Sequence, residues 1–122
     1  MHKVSPAVAE HYHWGEGADG WHLVKTDSLS VIQERMPANS HEQMHCHQYA
    51  TQFFYILKGE AVMRFLQESV LLKAGEGILI EPERYHQMCN ESTGELHFTV
   101  TSTPPSHGDR ALLSSTKGLT QG

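Results

Sequence analysis

Hydrophobic and polar positions alternate over short distances in this chain, and the alternation becomes regular from Trp21 onward. The runs WHLVKT, LSVIQERM, QFFYILKG, EAVMRFL, SVLLKAG, GILIEP and ELHFTVTS follow one another, each rich in Val, Ile, Leu or aromatic residues and bounded by turn residues. Short segments at such spacing predict an all-β sandwich or barrel, and no window carries a long amphipathic helix. Lys58-Gly59 and Lys73-Ala74-Gly75 are natural hairpin or bend positions. Pro104-Pro105 is expected to end strand pairing, because proline supplies no ladder donor.

Outside this region the texture differs. Residues 1–24 are punctuated by glycine, show no sustained period, and read as an N-terminal arm with Trp14 and Trp21 as anchors. Residues 25–104 read as the barrel. Residues 105–122 are small and polar and read as a mobile C-terminal tail, with Leu112 and Leu113 offering a packing contact. A chain of 122 residues is most simply one domain, and it is long enough to bury a core without disulfides.

The formal charge is −5, with Lys and Arg scattered singly, which argues against nucleic acid as a partner. Neither a positive-then-apolar opening nor a bilayer-length apolar run is present, so a soluble, cytoplasmic protein without membrane association is expected. Cys46 and Cys89 form no disulfide framework and are expected to be reduced. Ten histidines are the unusual feature, since imidazole is the commonest metal ligand.

Two of them open the stretch HCHQYATQFFYILKG, and on a strand His45 and His47 project to the same face. That pair is half of a metal site. Downstream, GEGILIEPERYHQMCN places His86, Met88 and Asn90 on one strand face, with the turn from Pro82 to Tyr85 delivering them. Pairing of the two strands would make His86 a third imidazole, and Gln52 would complete the set with its amide oxygen. His11 and His13 repeat the His-x-His spacing, but nothing downstream of them reads as the other half of a site, and a surface or packing role is expected.

With these residues the chain resembles the cupin superfamily, whose motifs are G-x5-H-x-H-x3-4-E-x6-G and G-x5-P-x-G-x2-H-x3-N. His45, His47, Gln52 and Gly59 match the first motif in spacing, and Gly75, His86 and Asn90 match the second. Asn39 stands at the leading glycine, Gln52 at the glutamate, Glu81 at the proline and Glu83 at the inner glycine. The resemblance implies a small double-stranded β-helix (jelly-roll) barrel of the RmlC-like kind found in small single-domain bacterial cupins. It also implies a divalent ion (Fe, Mn, Ni, Zn or Co) held by His45, His47, Gln52 and His86. A homodimer is implied as well, the arm before Trp21 being available for strand exchange. The expected ligand is a small polar or anionic metabolite. The three-histidine, one-glutamine set looks like that of small cupins that convert unsaturated uronates, which points to a sugar-acid isomerase; a dioxygenase and a non-catalytic binding or sensor module are the alternatives.

Gln52 is the departure with most chemical content. Three imidazoles and an amide leave a divalent ion with its full charge, where the usual glutamate would halve it, so anionic ligands should be favoured. Loss of metal binding is opposed by the retention of all three histidines, since buried imidazoles without partners are costly. Phe54, Ile56, Ile78, Ile80 and Phe98 are expected to face inward, most of them simply as core. The faces of Tyr49, Arg64, Glu81, Tyr85, Met88 and His97 depend on strand register and stay open, with an outward, solvated Arg64 favoured. Cys46, between two ligands, should point away from the barrel mouth. HEQMH, His41 to His45, matches a zinc-protease pattern that functions only on a helix, and the strand-like run after it argues against that reading.

Overall fold

The computed structural model describes residues 2–106 and 108–113. Every regular element among them is a β-strand: β1 (Glu10–Trp14), β2 (Ala18–Lys25), β3 (Ser30–Met36), β4 (Ser40–His41), β5 (His45–His47), β6 (Thr51–Lys58), β7 (Glu60–Phe65), β8 (Ser69–Lys73), β9 (Gly77–Ile80), β10 (His86–Asn90), β11 (Leu96–Thr103) and β12 (Arg110–Leu112). They form two antiparallel sheets, one in the order β1-β2-β3-β11-β6-β9 and the other β12-β5-β10-β7-β8, with β4 pairing on β10. This is the expected jelly-roll. HEQMH spans β4 and β5 with no helix, so the zinc-protease geometry is absent. No helix of the described residues is long and apolar enough to cross a membrane.

The period-2 pattern closes the core. On β6, Gln52, Phe54 and Ile56 are buried while Phe53, Tyr55 and Leu57 are exposed. Across the register, Phe54 lies beside Val100 and Ile78, and Ile56 beside Phe98. These join Met36, Met63, Leu72, Ile80, Met88 and Leu96 in one apolar cluster between the sheets. A closed pair of sheets of this kind holds side chains from distant strands at fixed separations.

The ends of the chain add strands where the sequence pattern is weak. The N-terminal arm orders into the hairpin β1-β2, which extends one sheet through β3. Strand pairing stops at Thr103, before the two prolines, and resumes in the other sheet as β12, where Arg110, Ala111 and Leu112 lie opposite His47, Cys46 and His45. The remainder of the expected mobile tail, residues 107 and 114–122, lies outside the described residues.

Two departures from the motif pattern adopt left-handed backbone. Asn39 and Glu83, both standing at glycine positions of the motifs, are the described non-glycine residues with positive φ, at 55° and 68°. Asparagine tolerates this region, but glutamate does so at a steric cost. The turn at Glu83 is held by its amide, which donates to the His47 carbonyl at 2.7 Å. Gly59, between β6 and β7, has φ 90°, and a Cβ there would lie 2.5 Å from the Glu95 carbonyl oxygen.

Glu83→Gly should raise stability by about 0.5–1 kcal/mol, since removing strain of roughly 1–2 kcal/mol outweighs the added freedom of the unfolded chain. Gly59→Ala should lower it. Urea midpoints of the two variants check both signs.

Candidate metal centre

The short strands β5 and β10 place the three histidines. His45 is the direct cross-strand partner of His86, and His47 follows two residues along the same face of β5. Each ring offers one ligand atom, and these atoms lie within 4.8 Å of one another. The ring centroids are 4.4 Å apart for His45 and His86, 5.0 Å for His45 and His47, and 6.0 Å for His47 and His86. The three are nearly closed off from solvent, at 4%, 7% and 1% exposure.

Each imidazole is turned by an oxygen acceptor on its Nδ1. His45 Nδ1 donates to the Gln43 carbonyl at 2.8 Å, His86 Nδ1 to the Arg84 carbonyl at 2.9 Å, and His47 Nδ1 to the Asp109 carboxylate at 2.7 Å. Since none of these oxygens can donate, the proton sits on Nδ1 and the Nε2 lone pair is left free. The Arg110 guanidinium, 3.4 Å from His45 Nδ1, is therefore an electrostatic neighbour and not a donor to that nitrogen. Burial, then Arg110, holds His45 down to about 3; burial, then His45, holds His86 down to about 4. Both rings are neutral at physiological pH, as metal ligation requires.

Gln52 sits in the next row, between Ile80 of β9 and Ser102 of β11. Its amide nitrogen donates to the Ser102 hydroxyl at 3.0 Å. Gln52 Oε1 and His86 Nε2 are both buried without a hydrogen-bond partner. Orphaned buried acceptors are rare and costly. With all Nδ1 positions already satisfied, the orphaned His86 Nε2 in the converging triad fits a cation, so His45, His47 and His86 could hold a metal.

Charged groups surround the triad. The chain leaves β10 between β4 and β5, and there the Glu42 carboxylate accepts from the Met88 amide at 2.9 Å. Burial raises the Glu42 pKa, with His86 the first opposing influence. Glu34, on the inward face of β3 opposite Phe98, has its pKa raised to about 8 by burial, with the Tyr12 hydrogen bond opposing and the Glu42 charge adding. The Tyr12 hydroxyl donates to Glu34 Oε2 at 2.8 Å. It reaches across Gly20, where any Cβ would collide with the phenol ring. Asp109 is an acceptor on both oxygens, Oδ2 taking the amides of Tyr49 and Ala50 at 3.0 and 3.1 Å. Burial would raise its pKa, but those amides and His47 outweigh it and the net shift is downward.

The other expected positions divide clearly. Phe54, Ile56, Ile80 and Phe98 are buried inward, and Ile78 packs partly against them. Met88 is core. Arg64 faces outward and pairs with Glu91, His97 pairs with Glu95, and Tyr49 and Glu81 are exposed. Tyr85 lies beside buried Cys46, on the side of β5 away from the histidines. Asn90, on the His86 face, is a clamp: its amide nitrogen donates to carbonyls of Met36, Pro37 and Gly94, and its oxygen accepts from Ser92. Asp109, Arg110, Glu42 and Glu34 are additions that sequence reasoning missed. The signal for Glu34 was present, as a carboxylate at an inward period-2 position between Ile32 and Met36.

The cupin domain family model matches residues 32–102 of this sequence. The chain belongs to the cupin family. An uncharacterized protein from Methanocaldococcus jannaschii, MJ1618, is 31% identical to this cupin over 92 residues, covering 75% of this chain and 74% of that one. Among solved structures, an RmlC-like cupin from Shewanella frigidimarina superposes with TM-score 0.78 at 18% identity, covering 88% of this chain and 94% of the other. The polyketide cyclase RemF from Streptomyces resistomycificus superposes with TM-score 0.79 at 15% identity, covering 94% and 88%. At such identities the superpositions establish the shared fold.

Glu34 supplies a pH test for the metal-free protein. A carboxyl whose folded pKa is raised from 4.5 to about 8 is protonated in the folded state while the unfolded chain is ionised. Its contribution is therefore lost as pH rises between those values. Wild type should lose stability relative to Glu34→Gln between pH 5 and pH 8, read from urea midpoints at both. Tyr12, Glu42 and Arg110 act on the same carboxyl and are common to both proteins.

Proposed function

We propose that this cupin binds one divalent ion through Nε2 of His45, His47 and His86 and Oε1 of Gln52, and acts on a small anionic metabolite as a sugar-acid isomerase. The observation that carries the metal assignment is the buried, unpartnered His86 Nε2 in a triad whose ligand atoms converge and whose Nδ1 positions are all engaged, with Gln52 Oε1 a second buried, unpartnered acceptor. A bound divalent ion would supply Lewis-acid polarisation of a substrate oxygen. With neutral donors the site keeps a net charge of about +2, which draws carboxylates and enolates to it. The donor set, rich in nitrogen, suits Zn, Ni, Co, Fe or Mn in preference to Mg or Ca.

The chain's own residues favour proton transfer over oxygen chemistry. Isomerisation moves a proton between carbons and needs a group that both takes and returns it near neutral pH. Glu34, raised to about 8 and held by Tyr12, meets that need, and Arg110 offers a cation for a substrate carboxylate.

Two further readings belong with this one. A homodimer is supported by the outward residues Phe53, Tyr55, Leu57 and Leu79, which leave an apolar strip on one sheet. A cytoplasmic location is supported by free, buried Cys46 and Cys89. A solution molar mass of a monomer would contradict the dimer.

His86→Ala should lose one ion per chain, measured as bound metal after dialysis, and undiminished metal would overturn the assignment. Asp109→Asn, which disturbs the acceptor of His47, should weaken binding by about 10–100-fold. Gln52→Glu should bind the ion more tightly. Consumption of ring-opened uronates by the metal-loaded protein would support the isomerase; oxygen uptake with diketones and no uronate consumption would favour the dioxygenase; tight binding of a small acid with neither would favour the module.

A further inference from the structure

The N-terminal hairpin carries a second convergence of ligand atoms, independent of the barrel site. His11 and His13 share a face of β1, and Asp19 on β2 is the direct cross-strand partner of His13. His11 Nε2 lies 2.7 Å and His13 Nδ1 3.0 Å from the same carboxylate oxygen, Asp19 Oδ1. All three candidate ligand atoms are within 4.8 Å of one another. The two imidazoles stand 4.7 Å apart, edge to face, and Trp21 packs against His11 at 5.4 Å. The sequence offered only the histidine pair; the hairpin supplies the third member.

The carboxylate is also oriented as a ligand. Arg35 Nε donates to Asp19 Oδ2 at 2.8 Å, leaving Oδ1 to the two rings. Ligating carboxylates are commonly fixed in this way by a neighbouring donor. Arg35 also pairs with Glu95 at 2.9 Å, so one guanidinium is shared between two carboxylates and does not cancel the negative charge of the group.

We propose that His11, His13 and Asp19 form a second divalent-metal site, taking a first-row ion such as Zn2+ through two imidazole nitrogens and one carboxylate oxygen, with water in the remaining positions. Two imidazoles and one carboxylate with open positions form a recognised transition-metal donor set. Tetrahedral zinc with bonds of about 2.0–2.1 Å places its ligand atoms about 3.3 Å apart, so the present 2.7 and 3.0 Å need to open only slightly. His13 is 81% exposed and His11 37%, so both rings are free to make that adjustment. The ion takes the place of the hydrogen bond between His11 and Oδ1, each ring carrying its proton on its other nitrogen when the metal is bound.

Such an ion would tie β1, an edge strand held by β2, to its neighbour. Tyr12 lies between the two histidines and points to the opposite face, where it holds Glu34. Occupancy of the hairpin site would therefore stiffen the strand that delivers Tyr12 into the barrel.

The test is equilibrium dialysis of the chelator-treated full chain against Zn2+ alone, with amide hydrogen exchange at residues 10–14. His13→Ala and the double variant His11→Ala/His13→Ala should each bind one ion fewer than wild type, with at least a tenfold loss of affinity at this site. His86→Ala should keep the hairpin ion. Exchange at residues 10–14 should slow on zinc addition in wild type and in His86→Ala, but not in His13→Ala. Metal content unchanged in the double variant, or no zinc-dependent slowing in wild type, would overturn the proposal. One ion in wild type that is lost in His13→Ala but kept in His86→Ala would uphold this site and refute the barrel assignment.

Discussion

Three imidazole protons, each held on Nδ1 by an acceptor from a different part of the chain, set the direction of the lone pairs on which the barrel site depends. The acceptors are the Gln43 carbonyl ahead of β5, the Arg84 carbonyl ahead of β10 and the Asp109 carboxylate ahead of β12. Two of the three are backbone atoms only two residues from the ring they hold, so the site is oriented mainly by the turns that start the strands. The third ties the C-terminal segment to β5, with the same carboxylate also receiving the amides of Tyr49 and Ala50. Burial then keeps His45 and His86 neutral, which turns a polar cluster into a ligand set.

Around that set the fold sustains several local costs together. Gln52 Oε1 and His86 Nε2 are buried without partners, Glu83 occupies a left-handed conformation, and Glu34 is held in protein with its pKa well above the ordinary carboxylate range. His86, Glu83 and Glu34 lie in or beside the region containing the histidines, whereas the apolar cluster from Met36 to Val100 shows the regular alternation of a jelly-roll. Natural proteins tolerate such costs where function requires them. The Tyr12 and Glu34 pair illustrates the arrangement, because it requires Gly20 between its members and would be blocked by any larger residue there.

Much of this was legible in the sequence because the longer strands between Trp21 and Thr103, such as β3, β6 and β11, are long enough to show their period, and because two linked motifs fix the spacing of His45, His47, Gln52 and His86. The positive φ at Asn39 and Glu83 shows that the motif positions persist even where glycine does not. What escaped was carried by contacts between distant segments. β12 has three residues, too few to display alternation, so Asp109 and Arg110 looked like tail. β1 carries His11 and His13 on one face and Glu10, Tyr12 and Trp14 on the other, and with Trp14 alone packed against the core no apolar period marks it. Glu42 was visible only as part of a helical protease motif, whereas its place in the gap between β4 and β5 depends on register with Met88.

The most direct test of the central claim is a long-range proton–nitrogen NMR spectrum of the metal-free protein at pH 7, repeated with zinc added to occupancy of the barrel site. Neutral His45 and His86, each with its proton on Nδ1, and a shift of all three Nε2 resonances on zinc addition are the predicted result. A proton on Nε2 of His45 or His86, or Nε2 resonances that do not respond to zinc, would contradict the account.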